Sequence, residues 1–287
     1  MKQRFTTLVT SILLVLNSNR LSATELIPLE ALVSTGKISV SFVNKGGYQG
    51  NCMQMIIHNQ TADSVYGYVE PGRRLNSVND SEQDILVVKA AQIKIKSFEK
   101  DTIEIFGFCC QSGKSGPSKN ALYTIGSLAP ATWVFIANLI NLNQFPNDAV
   151  QHAVWVLSDN HDIRSIPAYS NPAMDQLRYA VADILDIEIP WYSFKYKQNE
   201  HDLFTGIKTH FFAEVAFHIP QRALMTAQIT RPNGEIIYTG EHQYFSAGDQ
   251  KISVCFPISN WEDGEYDFYL LEDFHTTNKK LRFNTSE

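Results

Sequence analysis

Charge is scarce in this chain, and basic charge scarcest. Of 287 residues only 19% are Asp, Glu, Lys or Arg, with 24 basic against 30 acidic side chains. A formal net charge of −6 argues against a broad basic face for nucleic-acid backbones. Cysteine is also sparse: Cys52, Cys109, Cys110 and Cys255 are the full set. That is too few to build a disulfide scaffold, and a chain 44% hydrophobic is long enough to bury a core without one. Several motifs are missing outright. There is no His-Glu-x-x-His, no Gly-x-Ser-x-Gly and no Gly-rich phosphate loop. No run reaches transmembrane length; Leu8–Leu16 is too short to span a bilayer.

That short run has a different reading. Lys2 and Arg4 precede it, small residues come after it, and Leu21-Ser22-Ala23 suits cleavage. Residues 1–23 are therefore expected to be a secretory signal peptide. Its removal takes away Lys2, Arg4 and Arg20 and no acid. The mature chain keeps 21 basic and 30 acidic residues, a formal charge of −9. An exported protein, periplasmic, extracellular or on the cell surface, is expected.

Beyond residue 37 the pattern is one of short strands and turns. Lys37–Phe42, Asn51–His58, Ser64–Val69, Asp84–Val88, Gln92–Ile95 and Thr102–Cys110 predict strands. After the loop Gln111–Ser118 the period changes. Trp133, Ile136, Ala137 and Ile140 share one helical face, and Asn147-Asp148 opens a second helix over Ala149–Leu157. Pro172, capped by Asn171, begins a third. Trp191–Tyr196 returns to strand-like alternation, and the polar stretch Lys197–Asp202 reads as a linker. From there the chain is all strand, with Pro232-Asn233-Gly234 as a hairpin turn. The expected architecture is a β-rich α+β domain over residues 24–197 followed by an immunoglobulin-like β-sandwich over 203–287. Cys255, alternating with Val254 and Phe256, is expected to be a core thiol.

Two short motifs carry the chemistry. Phe106-Gly107-Phe108-Cys109-Cys110-Gln111 ends a strand, and Val150-Gln151-His152-Ala153-Val154-Trp155 opens a helix. Together they resemble the signature of bacterial thioester domains, found in surface adhesins. An aromatic-Cys pair ends a strand in that family, and a later Gln precedes a small residue and an aliphatic-Trp pair. The resemblance implies that the Cys sulfur and the Gln side chain join as an internal thioester. Cys109 matches the family cysteine because Phe108 precedes it. Gln151 matches the glutamine, and Ala153-Val154-Trp155 match the small residue and the aliphatic-Trp pair. The doubled cysteine departs from the pattern and leaves Cys110 as an alternative thiol. The wider layout, including Ile189-Pro190-Trp191-Tyr192, is similar to secreted proteins from Bacteroidetes-like bacteria. That similarity implies a module and a compartment, and no reaction.

An internal thioester is an electrophile that survives only where water is kept out, so Phe106, Phe108 and Trp155 are expected around it. His152 is a possible proton-transfer assistant, although a neighbour in a helix points about 100° away. The other reading is structural. The four cysteines allow three full pairings, with Cys52 to Cys109 or Cys110 plausible within one domain. Adjacent Cys109 and Cys110 must face opposite sides of their strand. Ser158-Asp159-Asn160-His161-Asp162 contains metal-ligand types but no complete pattern, and reads as a polar helix stop. No metal and no cofactor are expected. Three functions stay open: a surface adhesion or binding protein that attaches covalently to amines on a protein or surface ligand, a non-covalent binding or structural module with disulfides, and an exported hydrolase whose site is not legible.

Overall fold

The computed structural model describes residues 26–167, 172–199 and 203–286. The expected signal peptide and the Asn171 cap lie outside them. The chain is β-rich, with few helices. Its first part runs β1 (Ile27–Pro28), α1 (Leu29–Ser34), β2 (Ile38–Asn44), β3 (Gln49–Asn59), β4 (Val65–Val69), β5 (Arg73–Ser77), β6 (Ile85–Val87), β7 (Ala91–Ile95), β8 (Lys100–Cys109) and β9 (Leu122–Leu128). Six of these strands close a barrel in the order β2-β3-β8-β6-β5-β9, every pairing antiparallel. Strands β1, β4 and β7 form a separate small sheet. Its Val65, Val69, Ile93 and Ile95 share the core of the barrel interior, with Leu29 and Leu32 of α1.

Period-two alternation explains how one strand pair serves two layers. Ile85, Val87, Ile105 and Cys109 face the barrel interior. The residues between them, Leu86, Phe108 and Cys110, belong to a second core beneath the helices. Gly107 must stay small, because a Cβ there would stand 2.4 Å from Ile85 Cγ2.

Three helices cover the outer face: α2 (Ala131–Leu142), α3 (Asn147–Asp159) and α4 (Pro172–Leu185). Helix α2 buries Ile136, Ala137 and Ile140, the face its sequence period marked. Helix α3 is buried all round from Ala149 to Val156. That is the environment of a helix packed between layers, here β8 on one side and α2 and α4 on the other. It ends where Asn160 takes a left-handed conformation (φ 55°), in the middle of the expected polar stop.

The second part holds β10 (Tyr192–Tyr196), β11 (Lys208–Ile219), β12 (Ala223–Thr230), β13 (Ile236–Phe245), β14 (Gly248–Pro257), β15 (Glu265–Glu272) and β16 (Thr276–Asn284). Two antiparallel sheets, β10-β11-β14 and β13-β12-β15-β16, enclose one aromatic-rich core. The Asn233-Gly234 turn joins β12 to β13, with Gly234 at φ +87°. Two expectations change here. The sequence reading places β10 in the first domain; the strand pairs instead with β11 along its length, and Tyr192, Phe194 and Tyr196 fill the sandwich core. Cys255 is exposed rather than buried, because alternation on β14 sends Val254 and Phe256 inward and the residue between them out.

One arginine ties the helical layer to the sandwich. Arg164, in the short 3-10 turn Ile163–Ser165, donates to the Tyr192 hydroxyl at 3.1 Å and to the carbonyls of Asn284 at 2.6 Å and Ser286 at 2.8 Å. Asp162 pairs with it, and its guanidinium lies 5.4 Å from the Phe194 ring centroid. Arg178 of α4 adds two bonds to the entering strand, at the carbonyls of Pro190 and Tyr192. Arg164→Ala removes charge-assisted bonds and strands Asp162, so a loss of about 2–4 kcal/mol in urea unfolding is expected. An unchanged midpoint would show that the clamp contributes nothing.

Candidate functional site

Strand β8 delivers Cys109 and Cys110 to the barrel's end, and α3 delivers Gln151 to the same place. Gln151 is 1% exposed, and its Nε2 donates to the Cys109 carbonyl at 2.7 Å. Its Oε1 is buried with no protein partner among the described residues. A buried orphan acceptor costs about 1–3 kcal/mol, which an apolar residue at this position would not incur. The two sequence motifs, 42 residues apart, are thus brought into direct contact. Of the expected apolar neighbours, Phe108 and Trp155 are fully buried, and Phe106 packs edge-on to Phe108 with centroids 5.7 Å apart.

All four cysteines are free thiols. Cys109 and Cys110 diverge, the first into the barrel interior with Cys52, the second into the helical layer. Each is held by main-chain bonds: Cys109 N donates to Tyr48 O and Cys110 N to Asp84 O, both at 3.0 Å. The Cys110 thiol also donates to Asp84 O at 3.4 Å. Burial disfavours the thiolates. Cys109 is pushed well above the ordinary thiol value by burial first, then by neighbouring Cys52 and Cys110. Cys52 and Cys110 are each pushed up to about 12, again mainly by burial.

A polar network centred on Gln83 and Asp84, which neither motif contains, fixes this end of the barrel. Gln83 is fully buried; its Oε1 accepts from Trp155 Nε1 at 3.4 Å and from Gln111 N at 3.2 Å, and its Nε2 donates to Lys114 O at 3.1 Å. Asp84 Oδ2 accepts from Arg74 at 2.7 Å and from Gln111 Nε2 at 3.0 Å. The Gln111 carbonyl oxygen Oε1 in turn accepts from Asp84 N at 3.0 Å. The only signal in the sequence is two polar residues placed immediately before an apolar strand.

His152 faces away from the Gln151 amide. Its ring lies 5.6 Å from Trp155, 6.0 Å from Phe204 and 6.4 Å from Tyr196, centroid to centroid. The pKa falls from 6.5 to about 4, because burial and then the nearby His161 oppose the cation. The imidazole is therefore neutral at physiological pH. Among the described residues no group of three or more His, Cys, Asp or Glu is placed to hold a metal. No helix among them is long and apolar enough to cross a membrane.

No protein-family model matches the chain, and no curated protein matches it. Among solved structures, β-glucosidase from Kluyveromyces marxianus in complex with glucose aligns with 82% of this chain and 45% of its own, at 9% identity and a TM-score of 0.22. Its selenomethionine form aligns with 82% and 44%, at 9% identity and a TM-score of 0.21. The chain spans less than half the length of either, and superposition at this level carries no argument about fold or activity.

The His152 environment has a pH consequence. In the unfolded chain the ring takes up a proton below 6.5, while in the folded protein it stays neutral down to about 4. Stability is therefore present above 6.5 and is lost as pH falls towards 4, by about 3 kcal/mol in full. Urea unfolding of the native protein and of His152→Phe across this window isolates the effect. The native protein is expected to lose stability more steeply, and parallel pH profiles would refute the assignment.

Proposed function

We propose that the protein is an exported surface-adhesion or binding module that attaches covalently to amines through an internal thioester between Cys109 and Gln151. The observation that carries this reading is the buried contact of the Gln151 side chain with the Cys109 carbonyl, with Gln151 Oε1 left unpaired among the described residues. The sulfur attacks the Gln151 carboxamide carbon and a C–S bond forms. The C–N bond breaks, and the nitrogen leaves as ammonia with the thiol proton. An incoming primary amine later attacks the same carbon and releases the thiol, leaving an amide on Gln151. The burial that disfavours a thiolate suits a neutral acyl-sulfur, and the apolar wall of Phe108 and Trp155 keeps water from it.

The partner on this reading is a protein or surface ligand that presents an amine. Nucleic acid is not among the candidates, given the acidic excess. The terminal seven-stranded sandwich serves as an immunoglobulin-like spacer, which holds the reactive domain away from its anchoring point. The signal peptide expected over residues 1–23 supports an exported chain.

Intact mass of freshly purified, unreduced protein tests the reading directly. The expected mass is short by one ammonia, and methylamine replaces that deficit with one methylamide on Gln151. Gln151→Ala abolishes both effects. Cys109→Ala and Cys110→Ala, measured side by side, tell which sulfur is acylated. A full, methylamine-indifferent mass would leave a non-covalent module in which Gln151 is a structural hydrogen-bond donor.

A further inference from the structure

Beyond the thiols, the same end of the barrel carries a second nucleophile. Ser112 Oγ lies 2.7 Å from His161 Nε2, within hydrogen-bond reach of a general base. The two residues are 49 apart in sequence and meet only through the fold. Ser112 occupies the first central position of a tight turn closed by Lys114 N to Gln111 O at 3.0 Å. The turn is pinned from beneath by the polar network, through Gln83 to Lys114 O and through Gln111 to Asp84.

The base is held as firmly. Asn160 in its left-handed conformation reverses the chain at the end of α3, and His161 N donates to Trp155 O at 3.4 Å. The His161 ring lies against Phe204, tilted by 34° with centroids 3.9 Å apart, and lies 5.8 Å from Trp155. Main-chain donors are also at hand: among the described residues the N–H groups of Ser112 and Gly113 donate to no protein acceptor. A Cβ placed on Gly113 would meet nothing within 4 Å, so the turn is open at the residue after Ser112. The loop continues to Gly116 and Pro117, which line a neighbouring cleft of ≈ 440 Å³ with Tyr48 and Leu203; Ser112 and His161 are not part of that lining.

We propose that Ser112 and His161 form a nucleophile–base pair that takes the acyl group of small uncharged esters and passes it to water. Ser112 Oγ bonds to the acyl carbon as its proton moves to His161 Nε2. The ester C–O bond breaks, and the alcohol leaves with that proton. Water then attacks the acyl-serine, gives a proton to His161 and releases the acid, and the proton returns to Ser112. The N–H groups of Ser112 and Gly113 face the oxyanion that develops at each step. Phe204, partly buried beside His161, supplies the apolar wall that favours an uncharged acyl chain.

The test uses the full chain with a fluorophosphonate probe and p-nitrophenyl acetate. Peptide mass spectrometry is expected to find the phosphonyl group on Ser112, with ester turnover above the buffer rate. Ser112→Ala abolishes both, and Ser115→Ala in the same loop retains them. His161→Gln slows labelling by at least about a hundredfold. Methylamine pretreatment, which consumes any thioester, leaves labelling intact, so failure of one proposal is separable from failure of the other. No label on the folded protein, a label that survives Ser112→Ala, or one as fast in His161→Gln as in the native protein would overturn the assignment.

Discussion

Strand β6 and the end of β8 are packed on both faces, and the candidate site hangs on that double packing. Ile85, Val87 and Cys109 fill the barrel while Leu86, Phe108 and Cys110 meet the helices. No position along this pair is free to face water, so a polar group brought here must find a protein partner. The Gln151 amide finds the last carbonyl of the strand, and its oxygen finds nothing among the described residues. Replacing a fully buried Trp such as Trp155 by Ala typically costs about 3–5 kcal/mol. The surrounding core is large enough on this scale to hold one unsatisfied acceptor in place.

Two layers of chemistry share that rigid end. On the inner side lie buried neutral thiols and a carboxamide, in surroundings that exclude water and charge. On the outer side the Gln83–Asp84–Gln111 network carries the turn that presents Ser112 to His161. The network is polar and mostly buried, and its members satisfy one another, so it rigidifies rather than weakens the loop. Trp155 belongs to both sides. Its indole bonds Gln83, and its ring lies between His152 and His161.

Much of the local structure was legible because it obeys short-range rules. The buried face of α2, the helical run of α3 and the Asn233-Gly234 hairpin all lie where periodicity and turn chemistry put them. The divergence of Cys109 and Cys110 needed only the pleat of a strand. The same pleat rule corrects Cys255: with Val254 and Phe256 both inside, the cysteine between them has to be exposed. The sheet that accepts β10 was not legible, because alternation shows that a segment is a strand and nothing about its neighbours. Its partner β11 settles that by hydrogen bonding.

The amino-acid order by itself determined a strand-rich chain and three helices after the Cys-Cys pair, and it carries two motifs whose resemblance to thioester domains implies a sulfur–carboxamide pair. Local propensity and side-chain period are properties of neighbours, so they can be read without a fold. Tertiary structure alone decided that six strands close into a barrel, that Gln151 touches Cys109 and that Ser112 reaches His161. Those contacts join residues 42 and 49 positions apart, and they depend on how whole layers bury their apolar faces against each other.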